Sequence, residues 1–213
     1  MRTATQVLMV AAAAMAAWAG QKQAEPSAPF EGHGVIVDIN SFFTAASESG
    51  APAELQAEQE IAGRALVTEE GVYAFLETPE NASALKETGP GSVVRVWGRL
   101  LERGALVHAD SLKPVTTVPL IDFAAFRNDP GEQVTLAGVN KCQCGLDVAD
   151  LPHSCQLGHL HHLETGDGRI YHYLQFGSGN EAFLGSGSHF RPVEVTGRLL
   201  PGQYLLVQEV AVE

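Results

Sequence analysis

The fold is indicated by the stretch Val94-Arg-Val-Trp-Gly98-Arg-Leu-Leu101, which returns with few changes as Val193-Glu-Val-Thr-Gly197-Arg-Leu-Leu200. A second pair of segments, Val72-Tyr-Ala-Phe-Leu76 and Ile170-Tyr-His-Tyr-Leu174, precedes it in the same order. The copies lie 99 and 98 residues apart, and two independent blocks at nearly one spacing indicate an internal repeat. The sequence therefore predicts two units of the same fold in tandem.

The residue pattern of the repeat blocks is typical of β-strands. Val94 and Val96 in the first copy, and Val193 and Val195 in the second, alternate with polar or exposed residues. A period of two is expected for a strand that buries one face and leaves the other in water. Each unit also ends in a β-rich run, which would pair with this strand as a terminal hairpin.

Glycines mark the turns and bends of these strands. Segments 69–71 and 166–168 lie between apolar runs and are typical of hairpin turns. Gly98 and Gly197 lie inside strand patterns, where glycine indicates a bulge or a bend that lets a small sheet close on itself. We therefore predict an all-β protein of two OB-like small barrels in tandem.

One short helix is predicted in the first unit, between Pro52 and Gly63. Proline is favoured in the first turn, acidic side chains such as Glu54 and Glu58 suit the N-terminal half, and glycine ends helices. A further helical turn is predicted at Leu120–Phe126, in the connection between the two units.

The domain boundaries follow from these patterns. Residues 1–19 are predicted to be a signal peptide and 20–30 a flexible tail. The first OB-like unit is expected at 31–115, a connector at 116–130, and the second OB-like unit at 131–213.

The first residues have the features of a cleaved export signal. Arg2 supplies the positive charge, Val7–Ala17 is an apolar run, and Ala17-Trp-Ala19 offers small residues for cleavage before Gly20. This run is shorter than the roughly 20 residues that span a bilayer, which favours a cleaved signal over the alternative of an uncleaved anchor helix. No later segment is apolar enough to cross one. We expect a periplasmic or secreted protein that is not membrane-embedded.

The charge of the chain argues against one class of partner. The formal net charge is −12, and no stripe of lysine and arginine offsets it. Since an acidic surface repels phosphate backbones, we expect no nucleic-acid binding.

The candidate functional site is a cluster of cysteines and histidines in the second unit. All three cysteines and six of the eight histidines lie between Cys142 and His189. Thiolate sulfur and imidazole nitrogen are the ligands that zinc and copper prefer, so the cluster predicts a metal site. His33 and His108 stand alone in the first unit, which is therefore expected to be a scaffold or a surface for a protein partner.

The predicted metal ligands are Cys142, Cys144, Cys155, His159 and His161. Three thiolates and one imidazole make a closed zinc site, whereas copper(I) prefers a few soft ligands, so zinc and copper both stay open. In a strand over residues 159–163, His159 and His161 would point to one face and His162 to the other. That favours His159 and His161 acting together.

Two other interpretations of the cysteines stay open. Cys142 or Cys144 paired with Cys155 would form a disulfide worth about 2–4 kcal/mol, in a module that is structural or binds a protein partner. A thiol-redox protein is the third interpretation. His172 is expected to be a surface or half-buried strand residue, and His189 a solvated loop residue.

The motifs resemble those of small exported bacterial OB-fold-like domains, many of them uncharacterised. The resemblance rests on Val193–Leu200, on the strand at Tyr171, and on Cys144-Gly-Leu146 followed by Cys155. Some of those domains carry a Cys-x-x-Cys-x-Leu segment, whereas this chain has Cys-x-Cys, and its first unit has no cysteine at 37–43. The resemblance implies an OB-like fold and a metal site in the second unit, and it implies no particular reaction.

Overall fold

The computed structural model describes residues 27–44, 63–142, 161–174 and 188–212. The strands in these ranges are β1 Ala28–Asp38, β2 Arg64–Val67, β3 Val72–Phe75, β4 Val93–Leu101, β5 Leu106–Pro114, β6 Glu132–Cys142, β7 His161–Thr165, β8 Ile170–Leu174, β9 Pro192–Leu200 and β10 Tyr204–Val212. The α-helices are α1 Ile39–Thr44, α2 Ala82–Glu87 and α3 Phe123–Arg127. Two 3-10 turns, Glu102–Gly104 and Pro201–Gln203, connect β4 to β5 and β9 to β10.

These strands close into two barrels with the same order of neighbours. Around the first barrel the order is β1-β2-β3-β5-β4, and around the second it is β6-β7-β8-β10-β9. β5 runs parallel to β3, and β10 runs parallel to β8. The other neighbouring strands are antiparallel. A closed five-stranded barrel is the OB-like architecture, so the predicted tandem all-β fold is confirmed.

The repeat blocks of the sequence occupy equivalent strands in the two barrels. β3 and β8 carry the shorter block, and β4 and β9 carry the longer one. The register of each terminal hairpin shifts beside the predicted glycine, at Gly98 in the first barrel and opposite Gly197 in the second. A Cβ atom would lie 1.9 Å from the His108 carbonyl oxygen at Gly98 and 2.3 Å from the Leu206 carbonyl oxygen at Gly197. Both bends therefore require glycine.

The predicted hairpin turns are confirmed, and so is one of the two predicted helical segments. Residues 69–71 connect β2 to β3, and residues 166–168 connect β7 to β8. The helical turn predicted in the connector is α3, where the Asp122 carboxylate accepts a hydrogen bond from the Ala125 amide at 3.1 Å. The helix predicted between Pro52 and Gly63 lies outside the described residues but for its end. The first barrel carries α1 and α2 at other positions.

The two barrels share an apolar core in addition to the core inside each one. Ile39, Phe42 and Leu101 of the first barrel are buried in the same cluster as Ile170 and Tyr204 of the second. Among the described residues, no helix has the length and apolar character needed to cross a membrane.

Backbone turns from each barrel pack against a strand of the other. A Cβ atom on Gly104 would lie 2.9 Å from the Cβ of Ile170, and one on Gly202 would lie 3.0 Å from the Cβ of Val72. The two turns also meet each other, since the Gln203 side-chain amide donates to the Glu102 carbonyl oxygen at 3.2 Å. The contact is thus reciprocal and tightly packed.

Candidate functional site

Two of the predicted ligands face each other across a pair of strands. Cys142 ends β6 and His161 begins β7, and their Cα atoms are partners in the antiparallel ladder. Residues directly opposite in such a ladder project to the same face. On that face Leu163 belongs to the core of the second barrel, and Cys142 is fully buried. Cys144, Cys155 and His159 lie outside the described residues, so their part of the ligand set stays a prediction.

His189 lies against His161 instead of in the solvated loop that the sequence suggested. The two ring centroids are 5.1 Å apart with the rings nearly perpendicular, and His189 stacks on Phe190 at 4.2 Å. The strand pairing and this ring contact bring Cys142, His161 and His189 to one end of the second barrel. Within the described ranges, no three cysteine, histidine or acidic residues are already arranged to hold a metal ion.

The first barrel has a different pair at the same place. Its β1–β2 ladder ends with Asp38 opposite Arg64, as the β6–β7 ladder ends with Cys142 opposite His161. A carboxylate and a guanidinium form an ordinary ion-pair combination, whereas a thiol and an imidazole are borderline-soft metal ligands. The shared fold therefore does not require cysteine and histidine at this position.

A second pair of histidines is buried between the two barrels. His162 and His172 are partners across β7 and β8, and they are 4% and 3% exposed. Nε2 of His172 donates a hydrogen bond to the Gly104 carbonyl oxygen at 2.5 Å, because a carbonyl oxygen can only accept. The Nδ1 atoms of the two rings are 2.8 Å apart, so one of them donates and the other accepts.

Burial keeps both of these rings neutral. It lowers the pKa of His172 from 6.5 to about 4, against the opposing effect of the bond to Gly104. The pKa of His162 lies well below 6.5 because of burial first and of the neighbouring His172 and His161 second. With both rings neutral, His162 Nδ1 donates to His172 Nδ1, and His162 Nε2 carries a lone pair. That Nε2 atom is buried and makes no hydrogen bond within the described part of the chain.

The expectation that His172 is a surface or half-buried strand residue is wrong. Ile170 and Leu174, on the same face of β8, pack into the shared core, while Tyr171 packs inside the second barrel. A strand that is apolar on both faces is covered on both. That pattern in segment 170–174 was the available signal that His172 would be buried.

The prediction that His108 stands alone in the first unit is also wrong. Its side chain is buried, and it lies between the Thr78 hydroxyl and the Asp110 carboxylate, with Nε2 3.3 Å from Thr78 Oγ1 and Nδ1 3.0 Å from Asp110 Oδ1. His33 contacts the connector, with Nε2 2.9 Å from the Thr117 carbonyl oxygen.

Comparison of the chain with family models, with curated proteins and with solved structures finds no match.

Proposed function

We propose that the protein is an exported, non-catalytic metal-binding module, in which cysteine and histidine ligands of the second barrel bind zinc or copper. The observation that carries this proposal is the cross-strand pair of Cys142 and His161. It replaces the Asp38 and Arg64 pair of the first barrel, and it supplies one thiol and one imidazole on a common face.

The position of this pair supports the remaining predicted ligands. Cys142 and His161 are the two ends of the β6–β7 connection, and the ladder holds these ends side by side. Cys144 follows Cys142 by two residues, and His159 precedes His161 by two residues. Covalent geometry limits a two-residue separation to about 7 Å between Cα atoms. Covalent geometry therefore allows both residues to supply ligands beside the pair.

The ligand chemistry suits zinc or copper(I) more than a hard cation. Cys142, Cys144 and Cys155 would supply thiolates, and His159 or His161 would supply the imidazole of a closed four-ligand site. Such ligands must lose their protons to bind, so metal uptake should release protons and weaken as the pH falls.

The first experiment is elemental analysis with thiol counting on protein purified from the exported fraction. Bound zinc or copper in a one-to-one ratio, with three thiols that react after the metal is removed, is the expected result. Two unreactive sulfurs in metal-free protein that titrate only after reduction would favour the disulfide interpretation and overturn the proposal.

Two variants at matched positions sharpen this test. Cys142→Ser should abolish stoichiometric metal, whereas Asp38→Ser, at the corresponding place in the first barrel, should leave the metal content unchanged. Circular dichroism of each variant shows that the barrels are intact. Equal metal content in wild type and Cys142→Ser would contradict the assignment of Cys142.

A further inference from the structure

The first barrel contains a buried polar group that the metal site does not use. His108, on β5, is 5% exposed, and its Nε2 is hydrogen-bonded to the Thr78 hydroxyl. Its Nδ1 lies 3.0 Å from Asp110 Oδ1 but makes no hydrogen bond within the described part of the chain. Thr78 is itself buried, and its amide donates to the Asn81 side chain at 2.8 Å just before α2. The loop that leads into α2 therefore covers the imidazole and holds it in one orientation.

A cavity of about 300 Å³ opens beside this imidazole, between α2 and strands β4 and β5. Ala84, Leu85 and Leu112 provide apolar wall, and Leu85 belongs to the barrel core. Two acidic residues, Glu80 and Asp110, line the same cavity. Small-molecule sites commonly combine a mostly apolar wall with a few convergent polar groups, at volumes from about 300 Å³ upwards.

The second barrel shows that the fold does not need these polar groups. Arg99 faces His108 across β4 and β5, and the matching pair in β9 and β10 is Arg198 and Leu206. Each hairpin skips one residue at its register shift, which is Asp110 in the first barrel and Gln208 in the second. An apolar residue thus occupies the position of His108. Because burial of an imidazole costs free energy that burial of leucine does not, a ligand-related role explains the difference.

The charges on the cavity wall favour a cation. Hydrogen bonds from its own backbone amide and from Thr78 lower the pKa of Glu80, so its carboxylate is ionised at neutral pH. Asp110 contacts His108 through Oδ1, and the same oxygen lies 3.8 Å from an Arg99 nitrogen, beyond hydrogen-bond distance. Both of these contacts use Oδ1, so among the described residues Oδ2 of Asp110 can accept a hydrogen bond from a ligand. Among the acidic and basic side chains on this wall, the two carboxylates of Glu80 and Asp110 outnumber the one guanidinium of Arg99.

We propose that this cavity binds a small organic ammonium ion with a short apolar body. The ammonium group would bind between the carboxylates of Glu80 and Asp110, and the apolar body would pack against Ala84, Leu85 and Leu112. His108, held by Thr78, is a positioning residue that orients Asp110. The net charge of −12 would also raise the local concentration of cations.

The test uses three probes of one shape and different charge: benzylamine, benzyl alcohol and benzoate. Each is titrated into isotopically labelled protein while amide chemical shifts are followed. Benzylamine should shift the resonances of residues 80–85 and 108–112 and should bind more weakly as salt is added. Equal shifts with benzyl alcohol, stronger binding of benzoate, or no shifts in these segments would overturn the proposal.

Variants that copy the second barrel identify the groups responsible. Asp110→Gln introduces the residue found at the matched position, and it should weaken benzylamine binding by about tenfold or more. Glu80→Gln should weaken it as well, and Ala84→Leu should abolish it by filling the cavity. The control is Glu132→Gln, which removes the same charge from an exposed position on the second barrel. If Glu132→Gln weakened benzylamine binding equally, the effect would come from long-range charge, and the proposed site in the cavity would be contradicted.

His108→Leu separates positioning from direct binding, because leucine occupies the matched position in the second barrel. The variant should fold, as judged by its thermal transition, and should retain benzylamine binding at reduced affinity with unchanged salt dependence. Unaltered affinity would contradict the role of His108. None of these outcomes depends on metal, so the test is independent of the metal-binding proposal.

Discussion

The two barrels share a backbone and differ in where they carry polar chemistry. The strand partners His162 and His172 of the second barrel correspond to Ala65 and Ala74 of the first, which are partners in the same ladder position. Conversely, His108 of the first barrel corresponds to Leu206 of the second. The glycine bends, hairpins and apolar alternation are common to both. What the barrels share therefore specifies the fold, and what they do not share marks the candidate sites.

The largest expected effect is the loss of stability when the glycine bend, which both barrels share, is altered. Gly98→Ala places a Cβ atom 1.9 Å from the His108 carbonyl oxygen, so the β4–β5 hairpin must shift. We expect a loss of about 3 kcal/mol or more in the free energy of unfolding, at the upper end for overpacking. Urea denaturation measures it. Gly89→Ala is the matched control, because a Cβ atom there meets nothing within 4 Å. Similar losses in both variants would show that the bend does not require glycine.

The second effect distinguishes the barrels by their response to acid. The pKa of His172 is lowered from 6.5 to about 4, so the unfolded chain takes up a proton that the folded protein resists. The contribution of neutral His172 to the free energy of unfolding is fully present above pH 6.5 and is lost as the pH falls towards 4. The expected loss is about 3 kcal/mol, since each pKa unit corresponds to about 1.4 kcal/mol.

Unfolding free energies measured between pH 7 and pH 4 test this loss. The double variant His162→Ala/His172→Ala copies Ala65 and Ala74 of the first barrel, and it should show a flatter pH dependence across this range. An unchanged slope would assign the acid sensitivity to other groups.

The third effect is a pH dependence of stability in the first barrel, where stability falls as the pH rises instead of as it falls. Burial raises the pKa of Glu77 from 4.5 to about 7, with a smaller opposing effect of Arg64. Protonated Glu77 is the form that the folded protein favours, so its contribution is complete below pH 4.5 and is lost as the pH rises through 7. Glu77→Gln introduces the residue that follows the matched segment of the second unit, Gln175.

The variant should be more stable than wild type at pH 8 by about 2 kcal/mol, after allowance for partial solvent exposure, and nearly equal at pH 4. Thermal unfolding at the two pH values measures the difference. Glu132→Gln, at an exposed position, should change neither value appreciably. Stabilisation by Glu77→Gln at pH 4 as well as at pH 8 would contradict titration as the cause.

The fold could be predicted because its signals are local. The repeat, the alternation around Val94 and Val193, and the bends at Gly98 and Gly197 each report on neighbouring residues of one strand or hairpin. Part of the candidate site could be predicted as well, because cysteine and histidine are informative by type. The sequence indicated His161 as a ligand, whereas its pairing with Cys142 needed the register of β6 and β7.

The buried histidines could not be placed in the same way, because their burial depends on contacts between distant segments. His172 is covered by the turn that contains Gly104, in the other barrel. His108 is covered by the loop at Thr78, and its contact with Asp110 depends on the register shift in β5. Strand alternation alone carries no information about any of these contacts.

Gly104 packs on Ile170, and Gly202 packs on Val72. These reciprocal contacts within one chain resemble those across the interface of a symmetric dimer. In a homodimer every interface residue occurs twice about the symmetry axis. A buried pair such as His162 and His172 would then be present in both halves. A covalent connection removes that constraint, because it keeps the halves at high effective concentration even when the interface is no longer symmetric. One half can then carry alanines where the other carries imidazoles, and each is free to acquire a ligand of its own.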